Sequence, residues 1–200
     1  MRLDRSIPYF NILMGCSRLL PIEAPLPAGY RFRFFASGDE RRWAEIEADI
    51  GDFGGIGEAE AYFAQKYLPH AAELSRRCLF LIAPDGQAVG SCIAWQDPKG
   101  DIAVSSLHWL AVKEAEQGKG LGKALLKRTL AVYEELGGFP VYLHTQPWSY
   151  AAVSLYWQTG FRLLKDDAFA DYQNQNKEAL EVLRRYLPLE TIVQLQSHLQ

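Results

Sequence analysis

The chain has 200 residues, a length that one domain commonly fills. Its 48% hydrophobic and 22% charged residues are those of an ordinary globular protein able to bury a core. A net charge of −3 argues against a general nucleic-acid binder, and no apolar run approaches the roughly 20 residues of a membrane span.

Residues 1–29 read as irregular and proline-rich, with room for an edge strand over Ile7 to Met14. Asp4, Pro8, Asn11 and Arg18 interrupt any apolar h-region, so no signal peptide is expected. Tyr30 to Phe35 alternates aromatic and basic residues, as a half-buried strand does. Ser37 stands three before Glu40, a capping-box spacing, and Trp43, Ile46 and Ile50 then mark an amphipathic helix. Glycines 51, 54, 55 and 57 predict a mobile loop, followed by a helix from Glu58 to Leu68 that stops near Pro69.

The period then changes. Cys78 to Ala83 and Val89 to Trp95 read as strands joined by the hairpin turn Pro84-Asp85-Gly86-Gln87. A second turn, Pro98 to Asp101, leads to a third strand over Ala103 to Val112. Leu121 to Leu136 is predicted helical and closed by Gly137-Gly138, and Val141 to Thr145 is a short strand. Ser149 is placed to cap a helix carrying Ala152, Leu155, Tyr156 and Thr159; Gly160 stops it, and Phe161 to Leu164 is a last strand. The order predicts an α/β fold: one mixed, mostly antiparallel sheet with helices on both faces. Residues 1–200 are read as a single domain with a core of about 30–165 and a helical extension over 166–200, through Leu180, Leu183, Leu187, Ile192, Leu195 and Leu199. Cys16, Cys78 and Cys92 are odd in number and widely spaced, which fits buried, reduced thiols and a cytoplasmic location better than disulfides or zinc.

The most informative stretch is Gln117-Gly118-Lys119-Gly120-Leu121-Gly122, between a strand and a helix. A helix N-terminus leaves about four N–H groups without intrahelical acceptors, and with the helix dipole these make an anion site. Glycines let the backbone approach a pyrophosphate. Lys119, Lys123, Lys127 and Arg128 add positive charge, with no acidic residue from 117 to 133. A Walker loop fails because Ala124 stands where Ser or Thr is needed, and a dinucleotide fingerprint fails because Lys123 is not glycine. The plainer alternative is a glycine-rich turn without a ligand.

Here the chain resembles the GNAT superfamily of acetyl-CoA-dependent N-acetyltransferases. The resemblance lies in Trp109-Leu110-Ala111-Val112, then Gln117 to Gly122, then Ala152-Val153-Ser154-Leu155-Tyr156 and Gly160-Phe161, all in order and spacing. It covers about residues 78–164. It implies acetyl-CoA as cosubstrate, no metal, and a pyrophosphate held by the backbone of Gln117, Gly118, Lys119, Gly120, Leu121 and Gly122. It also implies that strand 107–112 splays from strand 141–145, with pantetheine paired to the backbone near Leu110 and Val112. Ser149 departs from the family's frequent Asn; it can still cap, while its cofactor contact is placed in doubt.

Amine attack on a thioester requires a base for the amine proton, a donor for the oxyanion and an acid for the leaving thiolate. Alternation puts Ser106, His108 and Leu110 on one strand face; the resemblance implies that the Leu110 N–H faces the thioester oxygen, so His108, two residues earlier, can face the acceptor and is the candidate base, an unperturbed imidazole titrating near pH 6.5. The resemblance gives Tyr156 as acid and the Leu110 N–H as oxyanion donor. The alternatives are a hydrogen-bonded core histidine and a packing tyrosine. His144 is read as structural, and His70 and His198 have no supporting context. Trp148, Trp157, Trp109 and Trp95 read as core, although Trp95 and Trp109 could wall an acceptor pocket. Asp49, Asp52, Glu58 and Glu60 read as acidic surface, with attraction of a cationic amine as the sharper option. The expected acceptor is a small-molecule or peptide amine, with neither nucleic acid nor membrane as partner, and the chain a monomer or homodimer. The rival reading is a CoA-binding sensor or interaction module that lost catalysis; an acyltransferase using a longer acyl group is a third.

Overall fold

A computed structural model describes residues 3–165 and 168–197. Seven strands hydrogen-bond in the spatial order Arg31–Phe34, Cys78–Ile82, Ala88–Lys99, Ile102–Val112, Val141–Thr145, Ile12–Cys16 and Arg162–Leu163. One compact unit comprises Ile22–Trp95 and His108–Val132; another comprises Asp4–Pro21, Gln96–Leu107 and the chain from Tyr133 onward.

In the first unit, β2 (Arg31–Phe34) pairs antiparallel with β3 (Cys78–Ile82), from Arg31↔Ile82 to Phe34↔Leu79. All five β3 residues are buried, as expected of a continuous apolar run. On its other edge β3 pairs antiparallel with β4 (Ala88–Lys99), beginning at Cys78↔Ile93. Helix α1 (Glu40–Ile50) buries the predicted stripe of Trp43, Ile46 and Ile50. Its cap differs from the one expected at Ser37. Asp39 holds the N-cap position and accepts the Ala36 N–H at 2.7 Å while Arg33 grips it at 2.7 and 2.8 Å. The two guanidinium bonds and that backbone bond hold the Asp39 carboxyl below the usual carboxylate range, against its partial burial.

Helix α2 (Ile56–Lys66) starts two residues before the predicted Glu58 and ends before Leu68. A 3₁₀ turn over Leu68–His70 follows, and α3 (Ala71–Arg77), which the sequence reading lacked, resumes at once. Pro69 therefore ends one helix by sitting in the first turn of the next segment, where its missing N–H costs nothing. Arg77 anchors α3 through Glu73 Oε2 at 2.7 Å and the Ala94 carbonyl at 3.1 Å.

Strand β5 (Ile102–Val112) returns from β4 through a two-residue turn at Gly100-Asp101, a connection that antiparallel strands allow. Helix α4 (Leu121–Glu135) ends as predicted: the Gly138 N–H bonds the Tyr133 carbonyl at 2.8 Å.

In the second unit, β1 (Ile12–Cys16) corrects the expected edge strand over Ile7 to Met14. It lies between β6 (Val141–Thr145) and β7 (Arg162–Leu163), antiparallel to both, with Ile12↔Thr145 and Met14↔Leu163 in register. Ile12, Leu13 and Met14 are buried in succession, so both faces are covered, as an interior strand requires. Its place between β6 and β7 also shows how this end of the sheet is built. Strand β6 is parallel to β5 over just two registered pairs, Ser105↔Val141 and Ser106↔Tyr142. There the Tyr133 hydroxyl donates to the Ser106 carbonyl at 2.6 Å, while β5 continues to Val112.

Helix α5 (Tyr150–Gln158) precedes β7. The predicted C-terminal helix is two helices, α6 (Asn176–Leu183) and α7 (Leu189–Gln196), separated at Pro188. Buried Asn176 pins α6 to β1, accepting the Leu13 N–H at 2.9 Å and donating to the Leu13 carbonyl at 3.0 Å. Leu180, Leu183, Ile192 and Leu195 are buried; Leu199 and His198 lie outside the described residues. The three cysteines are free and buried, and burial pushes the Cys92 thiol up to about 12. Among the described residues no helix is long and apolar enough to cross a membrane.

Candidate active site

The glycine loop leaves β5 at Val112, passes a 3₁₀ turn over Glu114–Glu116 and opens α4. Two bonds fasten it from behind. Gln117 Nε2 donates to the Val112 carbonyl at 2.8 Å, and the Glu114 N–H donates to Asp49 Oδ2 at 2.7 Å. Gly118 and Gly120 have φ of +80° and +77°, values that residues with a Cβ adopt at a cost. A Cβ at either would meet nothing within 4 Å. The backbone dihedral demands glycine here, not crowding by the protein, and the space beside both residues is open. The Gly120 carbonyl accepts the Ala124 N–H at 3.1 Å, so the amides of Leu121, Gly122 and Lys123 belong to the first turn, whose N–H groups lack intrahelical acceptors.

The basic patch is less uniform than the sequence suggests. Lys119 Nζ lies 2.9 Å from Glu116 Oε2 and 3.3 Å from the Tyr30 hydroxyl, which itself bonds Glu116. Glu116 sits one residue outside the acid-free window. Its partnership with Lys119 raises the lysine above its ordinary value but leaves the pair exposed and screened. Arg128 lies over the Phe34 ring at 5.8 Å.

Strand β5 carries an irregularity that no sequence signal announced. Trp109 has φ +53°, a left-handed conformation rare for a bulky residue. In a regular strand neighbouring side chains face opposite ways. Here His108 and Trp109 converge on one group: His108 Nδ1 lies 2.7 Å from the Tyr67 hydroxyl, and Trp109 Nε1 donates to the same oxygen at 2.8 Å. The expected alternation of Ser106, His108 and Leu110 is therefore interrupted at Trp109. Residues 108–110 are half-exposed between the buried stretches Ser105–Leu107 and Ala111–Val112.

Tyr67 is fully buried, just past the end of α2. Its ring stands at 89° to Trp95 with centroids 5.0 Å apart. Trp109 in turn packs edge-on against Trp43 at 5.5 Å and contacts Phe53 and Tyr62, each at 5.3 Å. Trp95 and Trp109 thus flank Tyr67 and the half-exposed His108 within an aromatic cluster that also packs on the core. His70 meets Trp95 edge-on at 5.7 Å.

Among the acids near the glycine-rich segment, Asp49 is partnered as above, Glu58 bonds the Gly54 N–H at 2.8 Å, and Glu60 lies 3.9 Å from Arg41. Asp52 acts on an acid the sequence reading passed over. Glu47 is wholly buried on α1; Ser91 Oγ donates to its Oε1 at 3.2 Å, and its Oε2 has no partner among the described residues. Burial first, then the Asp52 charge, pushes its carboxyl well above the usual range. Its place at i+4 from Trp43 on the apolar stripe was the available signal.

In the second unit, Tyr156 lies on α5, 6% exposed, with its ring edge-on to Phe161 at 5.6 Å. Ser149 stands at the N-cap position of α5 but makes no side-chain cap. Its Oγ accepts Gln146 Nε2 at 2.8 Å instead, which corrects its predicted capping role. His144 stacks on Tyr172 at 3.8 Å, and its Nε2 lies 2.9 Å from Asn11 Oδ1 and 3.2 Å from the Tyr9 hydroxyl, a partnered structural position. Arg5 lies over the Trp148 ring at 4.4 Å, and Trp157 Nε1 donates to Gln194 at 3.0 Å. Among the described residues no group of three or more His, Cys, Asp or Glu is placed to hold a metal ion.

The model of the acetyltransferase (GNAT) family matches residues 40–161, a span holding the loop, His108 and Tyr156. The chain belongs to the GNAT acetyltransferase family. It is 34% identical over 142 residues to a mycothiol acetyltransferase of Geodermatophilus obscurus, covering 68% of this chain and 46% of that protein. A mycothiol acetyltransferase of Beutenbergia cavernae is 28% identical over 142 residues, covering 70% and 48%. The chain spans about half the length of these curated relatives. A GCN5-related N-acetyltransferase from Sphaerobacter thermophilus shares the GNAT fold, with TM-score 0.58 and 23% identity over 78% of this chain and 50% of that one.

Proposed function

We propose that this GNAT chain transfers an acetyl group from acetyl-CoA to an amine. The observation that carries the reading is the open loop: two left-handed glycines, with no neighbour over either, ahead of the first-turn amides of α4. That arrangement suits a diphosphate, which needs several backbone donors and no intruding Cβ. The first-turn amides and the loop backbone from Gln117 to Gly122 would hold the CoA pyrophosphate. The backbone of Leu110 and Val112 is assigned to the pantetheine arm.

Bound acetyl-CoA supplies an activated thioester carbonyl. His108 removes the proton from the attacking amine nitrogen, a contribution typically worth about 10²–10⁴ in rate. The Leu110 N–H stabilises the oxyanion, at about 10²–10³ for one donor. Tyr156 protonates the departing sulfur; that role rests on its place in the Ala152 to Tyr156 and Gly160-Phe161 pattern.

Calorimetry with CoA, then thiol release from acetyl-CoA over a panel of polyamines, amino acids and peptide amines, tests the proposal. Heat with CoA and turnover with at least one amine class are expected. No heat with CoA refutes it. Heat without turnover across the panel assigns the chain to a binding or sensing role.

A further inference from the structure

We propose that the site beside His108 takes a hydrophobic monoamine as acceptor: one nitrogen on a short chain that carries an apolar, ring-sized group, seated on the half-buried rings of Phe53, Tyr62 and Trp109. The inference rests on the reading of this chain as an amine acetyltransferase with His108 at the acceptor, and it names the class of amine.

The three rings form one continuous apolar surface. Phe53 and Tyr62 stand 5.4 Å apart, and each lies 5.3 Å from Trp109. They come from separate places in the chain: the glycine-rich loop after α1, helix α2 and strand β5. All three pack on Trp43, which is fully buried, yet they themselves stay half-buried. What joins them to His108 is the left-handed backbone of Trp109 at φ +53°. A regular pleat would send that indole to the face opposite His108. Here Trp109 Nε1 donates to the Tyr67 hydroxyl, whose oxygen lies 2.7 Å from His108 Nδ1, so indole and imidazole meet at one group. A residue held in a rare backbone conformation beside a candidate base is where strain is expected to serve a site. In this strand it sets an apolar wall next to the base.

The charges of the same segment favour one ammonium over several. An ammonium set on an apolar wall without a partner is costly, so a polyamine needs a carboxylate for each further charge. Asp49 accepts the Glu114 N–H at 2.7 Å, Glu58 accepts the Gly54 N–H at 2.8 Å, and Glu60 lies 3.9 Å from Arg41. Each is turned to a donor of the protein itself. Small-molecule sites are commonly walled by apolar and aromatic side chains, with a few placed polar groups that orient the ligand. Three rings beside one imidazole have that composition. Rings accept another ring edge-on or offset, so an aryl group suits the wall best.

Initial rates with acetyl-CoA and 3-phenylpropylamine, propylamine or 1,3-diaminopropane test this, since the three share one chain and differ in its far end. Turnover of any of them also counts for acetyl transfer. The kcat/KM for 3-phenylpropylamine is expected to exceed those of the other two by at least about tenfold, the effect of burying one ring. Phe53→Ala removes one wall and should narrow the ratio of 3-phenylpropylamine to propylamine by at least about threefold, whereas general damage to the fold lowers both rates alike. Propylamine or 1,3-diaminopropane equal to 3-phenylpropylamine overturns the proposal and leaves acetyl transfer standing, as does a ratio that Phe53→Ala leaves unchanged. If that variant fails to fold, the wild-type ratios decide. If no amine turns over, the acetyl-transfer reading fails and calorimetry of the three amines on the chain, with and without CoA, decides on the site. Binding of 3-phenylpropylamine at least about tenfold tighter than the others sustains it, and no such preference overturns it.

Discussion

Glu47→Gln isolates the buried acid of α1. In the folded chain the carboxyl holds its proton well above the usual range because burial and the Asp52 charge oppose ionisation. The unfolded chain releases that proton near about pH 4.3. A folded value raised above the unfolded one contributes stability fully at low pH and loses it as pH rises. Between the unfolded and the folded titration points the folded chain alone retains the proton, and there wild-type stability falls by about 1.4 kcal/mol per pH unit from this group. Glutamine keeps the oxygen that accepts from Ser91 Oγ and carries no proton to lose. Its amide places buried donors where Oε2 has no partner, a pH-independent cost of about 1–3 kcal/mol. The variant should therefore be no more stable than wild type in acid and gain on it steadily toward neutrality. For a chain of this size the gain corresponds to about 3–6 °C in Tm per pH unit. Urea unfolding of both proteins from about pH 5 to about pH 8 measures it, with all other titrating groups cancelling in the difference. Parallel curves across that range would refute the assignment of Glu47 as a protonated core acid.

Three further substitutions address the chemistry. Gly120→Ala places a Cβ at φ +77°; a cost of about 1–2 kcal/mol for a left-handed residue falls on folding stability where the free loop keeps its path, and on CoA affinity, as about 5- to 30-fold weaker binding by calorimetry, where the free loop relaxes, so a variant unchanged in both would refute the demand for glycine there. His108→Gln should slow turnover most between about pH 7 and about pH 9, where an unperturbed imidazole is neutral and an amine is still protonated, with the heat of CoA binding preserved; turnover equal to wild type removes His108 as base. Tyr156→Phe should lower kcat more than it raises KM, and activity equal to wild type ends its role as acid.

Much of the frame was legible because its signals are local. The Trp43, Ile46 and Ile50 stripe, the hairpin at Pro84 to Gln87 and the glycines closing α4 each depend on residues within a few positions of one another. The glycine loop was legible too, and within the protein its glycines answer to a left-handed backbone and not to crowding by neighbouring residues. What escaped depends on distant partners. Tyr67 meets His108 across 41 positions, and nothing between Lys66 and Leu68 marks it as more than a helix end. The interior place of β1 depends on pairing with β6 and β7, far along the chain. Pro69 was correctly a helix breaker, but a proline can open the next turn as readily as it closes the last. Lys119 looked like free positive charge until Glu116, just outside the basic window, was found beside it.

The residues proposed for the chemistry of this chain gather where the regular rules of its elements fail. A strict pleat would send His108 and Trp109 to opposite faces, and Tyr67 could then touch one of them at most. The left-handed Trp109 brings both to the same hydroxyl. A loop without left-handed residues would enter α4 along another path, and Gly118 and Gly120 supply the two positions that set the present one. Sequences settle on folds in which local preference and global structure agree, so a departure that persists needs a compensating gain. At the two glycines the departure is cheap and leaves open space beside the backbone. At Trp109 it is costly, and the bonds that Tyr67 makes to His108 and Trp109 are the gain that the structure offers in return.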